Sequence, residues 1–197
     1  MQGDQGQTLP LYIWLTGILL LAALAFFAFA QGAAVRGTTQ TAADAAALAA
    51  AQQARDDLIT ALGDGVTEGD DWLAWLDGEL PEVTSAGAAA QELAAANEAT
   101  VIAGPQPSEA RGYHGYRVEV RSIGTVGDSV IPGTETMRAE AAATAVIEPL
   151  CDYDPDADPE EPVELDCDGQ VVEIDPDDFD PDVLPDPTTM FSVYLAE

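Results

Sequence analysis

The chain contains no lysine, one histidine and two cysteines among its 197 residues. Without lysine there is neither a P-loop nor a Schiff base. His114, in Gly112–Tyr116 (GYHGY), reads as a surface loop residue just ahead of a strand. With the two distant cysteines it supplies too few nitrogen or thiolate ligands for a zinc site, and no histidine triad is available. No GxSxG element occurs. The only cations are six arginines, set against 36 acids. A surface of that sign repels nucleic acid and anionic headgroups. Carboxylates alone leave room for a two-carboxylate hydrolase, although nothing singles out a pair.

Another absence is local. Leu11–Ala30 (LYIWLTGILLLAALAFFAFA) runs for twenty residues without a charge. A helix of that length rises about 30 Å, the thickness of a bilayer's hydrocarbon core. Ala28-Phe29-Ala30 matches a small-x-small cleavage signal, but no basic residue precedes the run, and the run is too long for a signal peptide. It reads as a retained anchor. Arg36 and Arg55 lie on its C-terminal side, and Arg36 mildly opposes an N-in topology. Met1–Pro10 nevertheless makes no useful domain on the far side, and the acidic, cysteine-bearing body suits export. The expected placement is N-terminus cytoplasmic and C-terminal part outside the cell, with Tyr12 and Trp14 as aromatic anchors at one interface. Thr16 and Gly17 offer a small face to a neighbouring helix.

Gln40–Ala54 (QTAADAAALAAAQQA) extends the helical pattern. Nine of the thirteen residues in Ala42–Ala54 are alanine, the best helix former and one whose methyl allows close helix approach. Gly32 and Gly37 weaken a continuous helix without forbidding it, and one running unbroken from Leu11 to Leu62 would be about 78 Å long. Packing against copies of itself or partner helices uses so much alanine better than solvent does. Compositional drift is the alternative.

Gly63–Asp71 (GDGVTEGDD) reads as a break. Trp72, Leu73, Trp75 and Leu76 then form one apolar helical face, and Ser85 and Asn97 bracket a helix Ala86–Ala96. The period next changes to two. Tyr116, Val118 and Val120 alternate with Arg117, Glu119 and Arg121. In Thr136–Glu148, Met137, Ala139, Ala141, Ala143, Ala145 and Ile147 share a face. Gly124–Gly133 connects these strands, and arginine–glutamate contacts are expected on their wet face. Thr100–Ala103, Val171–Ile174 and Phe191–Leu195 are shorter strand candidates.

Glu148–Glu197 holds 18 of the 36 acids, 8 of the 13 prolines and no basic residue. It reads as loop-rich and partly mobile, docked through Phe179, Val183 and Leu184. Cys151 and Cys167 are the expected disulfide, worth roughly 3 kcal/mol in a chain-entropy account. Asp152, Asp154, Asp156 and Asp158 recur every second residue. An EF-hand loop needs a sixth-position glycine and a twelfth-position glutamate. Started at Asp152 those positions hold Ala157 and Val163; started at Asp154 they hold Pro159 and Leu165. At most weak, diffuse Ca²⁺ binding is expected, and otherwise no cofactor.

Ala42-Ala43-Asp44-Ala45-Ala46-Ala47-Leu48-Ala49, placed soon after an apolar helix, resembles the signature of TadE/TadG-like proteins of the Tad (Flp-type) pilus-assembly system. The resemblance covers about residues 6–55. It implies a pilin-like shape, with a long N-terminal helix half in the membrane and a small α+β head outside. It also implies non-enzymatic membership of a pilus or secretion machine, with pilin-like or assembly proteins as partners; the alanine content of the N-terminal helix adds a homo-oligomer through that helix as a further expectation. Ala42, Ala43, Asp44, Ala46, Ala47 and Ala49 are the implied helix-packing motif. Processed members carry an early glutamate, five residues after the processing site; here Leu11 stands there, so the unprocessed TadG-like kind fits better.

The expected organisation is a short cytoplasmic N-terminus over 1–10, a transmembrane helix over 11–35, an alanine-rich helical stalk over 36–62, an antiparallel-sheet α+β head over 63–150 and an acidic region over 151–197. The expected function is assembly protein or minor pilin. An anchored acidic module binding cations or a basic partner is the alternative, and an exported hydrolase a more distant one.

Overall fold

The computed structural model of the chain describes residues 8–69, 72–78, 85–125 and 136–196. Its architecture is α+β. The first element, α1, spans Thr8–Glu68 as one helix of 61 residues, about 90 Å long. Leucine and alanine carry it through Gly17, Gly32 and Gly37, as their high propensity allows. The hydroxyls of Thr38 and Thr39 donate to the Val35 carbonyl and that of Thr41 to the Gly37 carbonyl, so they are satisfied within the helix. The helix passes the expected break at Gly63 by a turn and a half. It stops where the Gly69 N–H turns back onto the Gly65 carbonyl at 3.0 Å.

Two short helices follow, α2 (Leu73–Leu76) and α3 (Ala86–Ala96). Ser85 does not cap α3 as its sequence position suggests. Its hydroxyl donates instead to the Asp57 carboxylate on α1, tying the two helices together. Asn97 closes α3 as expected, its side-chain amide donating to the Leu93 carbonyl at 2.8 Å.

The main sheet is antiparallel, ordered β1-β2-β3-β7, from β1 (Ala99–Ala110), β2 (Tyr113–Ser122), β3 (Glu140–Pro149) and β7 (Phe191–Leu195). β1 is three times longer than the expected Thr100–Ala103. Pro105 and Pro107 argue against a strand, but on a sheet edge a missing N–H costs no ladder bond. β3 is shorter than expected: it starts at Glu140, leaving Met137 56% exposed. His114 lies on β2, not in a loop, 3.4 Å from Glu109 across the hairpin. The expected Gly124–Gly133 connection falls largely outside the described residues. The predicted wet-face pairing holds: Arg121 faces Glu140 across β2 and β3 at 2.7 Å, and Arg117 reaches Glu119 at 3.2 Å.

The C-terminal acidic stretch carries more regular structure than its composition suggests. β4 (Cys151–Asp152), β5 (Val163–Cys167) and β6 (Gln170–Ile174) form a second antiparallel sheet. The Cys151–Cys167 disulfide links β4 to β5. Two-residue turns, Arg111-Gly112 and Asp168-Gly169, join β1 to β2 and β5 to β6. Both residues of each have positive φ (55° and 88°; 52° and 85°), the mirror-image turn whose twist suits a hairpin and whose second position favours glycine. A one-turn helix, α4 (Pro187–Met190), leads into β7.

One core unites these parts. On α1 the buried stripe is Ala42, Ala43, Ala46, Ala47, Ala50, Ala51, Ala54, Leu58, Leu62 and Val66, at helical three- and four-residue spacing. It packs against α3 on one side and the inner faces of β2, β3 and β7 on the other. Tyr116, Val118, Val120, Ala145, Ile147 and Phe191 supply the sheet side. Trp72 and Leu76 close one end with Val163, Leu165 and Ile174 of the second sheet. Phe179 and Leu184 dock as expected; Val183 does not, being 45% exposed.

Candidate functional site

The stalk expected over 36–62 does not stand clear of the head. It is the head's spine. Ala42, Ala43, Ala46 and Ala47 are fully buried and Ala49 nearly so, all within this chain. Their small methyls let α1 lie close to both α3 and the sheet. Asp44 is half-buried at the helix–sheet boundary, where it accepts from the Gln40 side-chain amide at 2.8 Å. The same amide contacts the Ala142 carbonyl on β3 at 3.3 Å. The helix-packing motif is therefore engaged inside its own fold.

The N-terminal part of α1 is the opposite case. Its large apolar side chains, from Leu9 to Phe29, are between 45% (Ile18) and 76% (Phe29) exposed. They cover every side of the helix, and the described residues provide nothing to cover them. A helix that is apolar all round belongs in a core or a bilayer. This is the one helix of the described chain long and apolar enough to cross a membrane, and it lies near the N-terminus. Sequence reasoning found this surface directly. It also anticipated that the helix continues into the alanine-rich segment, but not that this segment is the buried spine of the head.

A second surface is an open groove of about 730 Å³ over the second sheet, bordered by Asp152, Asp154, Asp156, Asp158, Glu164 and Asp166. Its walls are fixed from below: the Trp72 indole donates to the Pro159 carbonyl at 3.1 Å, and the Tyr153 hydroxyl to Asp77 at 2.8 Å. The alternating aspartates do not converge. Asp154 and Asp158 instead accept from the backbone N–H two residues on, each at 3.0 Å. Asp175, Asp180 and Asp186 repeat this turn. Each of the five precedes a proline, whose fixed φ sets the turn the carboxylate closes. Among the described residues no group of three or more His, Cys, Asp or Glu side chains is arranged to hold a metal ion. The Asp-Pro repeats are thus accounted for as local architecture.

Two electrostatic perturbations stand out. Thr188 donates to Asp186 through its hydroxyl and its backbone N–H, and these bonds hold the Asp186 carboxyl below its usual range. The turn therefore gains from ionised Asp186 at neutral pH and loses that gain as pH falls through the lowered value. On the outer face of the main sheet, the Tyr113 hydroxyl donates to Glu148 at 2.8 Å. That bond, together with the carboxylate's charge, raises the Tyr113 phenol. Tyr194 is raised chiefly by desolvation and then by the same carboxylate.

The arrangement defines a shaft-and-head protein in which one helix serves as both the apolar shaft and the spine of a disulfide-linked α+β head. No family model matches the chain, and no curated protein or solved structure is significantly similar to it.

Proposed function

We propose that this chain is a single-pass membrane component of a Tad-type pilus or related secretion machine, an assembly protein or minor pilin without enzymatic activity. The observation that carries the reading is the continuity of α1: an uncovered apolar shaft runs without a break into the spine of a compact head. The AADAAALA stretch of Ala42–Ala49 supports the family reading. In this reading the shaft sits in lipid with the head outside the cell, where a disulfide persists. Partner contact falls to the shaft, because the motif's alanines are occupied within the head. Inside lipid, van der Waals packing and small residues such as Gly17 drive helix association. The second reading, an acidic module for a basic partner, rests on the carboxylate-lined groove.

The test has two parts. Membranes bearing the chain are washed at alkaline pH and then exposed to external protease. Retention in the pellet, with the head cut away from outside, is expected. Surface filaments are then counted in cells lacking the chain. Filament number unchanged by its removal overturns the pilus reading and leaves the acidic module.

A further inference from the structure

Away from the shaft, three large apolar side chains of the described residues are more than half exposed: Ile123 (51%), Met137 (56%) and Val171 (59%). Val171 lies on the second sheet. The other two share one end of the main sheet. There Ser122 N–H bonds the Ala139 carbonyl at 2.9 Å, and Ala139 N–H the Ser122 hydroxyl at 3.0 Å. That end faces the shaft. β3 begins beside the first head turn of α1, where the Gln40 amide meets the Ala142 carbonyl. It ends at Pro149, against Gly78 beyond the far end of α1. β3 therefore runs with α1, and Met137–Ala139, which precede it, lead back toward the shaft. β2 is antiparallel to β3 and delivers Ile123 to the same level.

The heights match a lipid surface. Arg36, the first charged side chain after Asp4, sits about 9 Å above the end of the apolar run at Ala30, and Gln40 about 15 Å above it. A headgroup layer is about 5–8 Å thick. Extended chain from Ala142 back to Met137 covers about 16 Å, enough to descend from the level of Gln40 to that layer. Charge agrees. Among the described residues the ion-paired arginines are Arg55, Arg117 and Arg121, whereas Arg36 and Arg138 are exposed without such a partner. The acids at this end are Glu98 and Glu140, and Arg121 holds Glu140. We propose that the shaft-side end of the head is a lipid-contact surface. Ile123 and Met137 enter the boundary between headgroups and acyl chains of the leaflet from which α1 emerges, and Arg36 and Arg138 bind lipid phosphates. The sheet lies on one side of α1, so this contact gives the shaft a preferred direction of lean. The inference rests on the anchored reading of α1.

Full-length protein reconstituted into vesicles of phosphatidylcholine and phosphatidylglycerol tests this. Both native cysteines are paired, so one introduced thiol takes a fluorescent label. Gly124→Cys places the label next to Ile123, where an added Cβ meets nothing within 4 Å. Val171→Cys reports the second sheet and Leu24→Cys the shaft. Lipids carrying a nitroxide just below the headgroup should quench the label at 124 several-fold more than the label at 171. Ile123→Ser with Met137→Ser should remove most of that excess, and so should Arg36→Gln with Arg138→Gln. Equal quenching at 124 and 171, while a mid-chain nitroxide still quenches the label at 24, overturns the proposal and leaves the anchor standing. Excess quenching at 124 that survives both pairs of substitutions overturns the assignment to these four residues. A label at 24 that no lipid nitroxide reaches overturns the anchored reading, and the lipid contact with it.

Discussion

Gly65 lies on α1 against the ring of Trp75, and a Cβ added there would overlap the indole. Replacing a helical glycine by alanine ordinarily gains up to ~1 kcal/mol from backbone entropy. Here overpacking wins. Gly65→Ala should destabilise the head by about 1–3 kcal/mol, measured by denaturant titration, with a red-shifted tryptophan emission as Trp75 is displaced. A second residue-scale outcome concerns Glu148. Glu148→Gln removes the carboxylate that raises Tyr113 and contributes to raising Tyr194. Absorbance titration near 295 nm should show both phenols ionising at lower pH than in the parent. In the parent, phenols raised by folding contribute stability that is fully present below the ordinary tyrosine value. That stability is lost as pH rises through the raised values, so the parent should weaken at strongly alkaline pH.

At the scale of elements, the second sheet hangs on the Cys151–Cys167 link. Cys167→Ser should cost about 3 kcal/mol, read as a lower denaturation midpoint, because it frees a closed loop and puts a hydroxyl at a fully buried position. Ala46→Leu should also weaken the head, by roughly 1–3 kcal/mol, since α3 and the sheet leave no room beside the spine. Loss of pilus assembly in that variant would then report a folding defect. α1 was legible from residue patterns almost to its end, and so were α3, β2 and β7. What the pattern could not convey was where the alanine face points. A methyl group suits the chain's own sheet and a neighbour's helix equally, and only the tertiary fold chooses. β1 was under-read because Pro105 and Pro107 count against a strand until its edge position is known. β5 was missed despite a strict alternation, Val163, Leu165 and Cys167 inward with Glu164 and Asp166 outward. The surrounding aspartates and prolines make this stretch read as loop, even though Val171–Ile174 just beyond it reads as a strand.

For the whole molecule, the division of labour along α1 makes shaft and head separable. Leu19→Arg with Leu21→Arg should abolish membrane retention, at about 2.5–3.5 kcal/mol for each arginine placed mid-bilayer, while leaving head stability unchanged. Sedimentation of the membrane fraction and a melting curve of the released protein check the two halves of that statement. Charge acts globally too. With 36 acids and 6 basic residues, self-repulsion burdens the compact state, and added salt should raise the melting temperature by a few degrees.

A rod of about 90 Å with no joint between its two ends behaves as a lever. In the proposed placement, leaning the buried end by 20°, an ordinary angle for a spanning helix, carries the far tip sideways by about 30 Å. Small rearrangements among neighbours in the lipid would thereby become large excursions of whatever the outer portion holds.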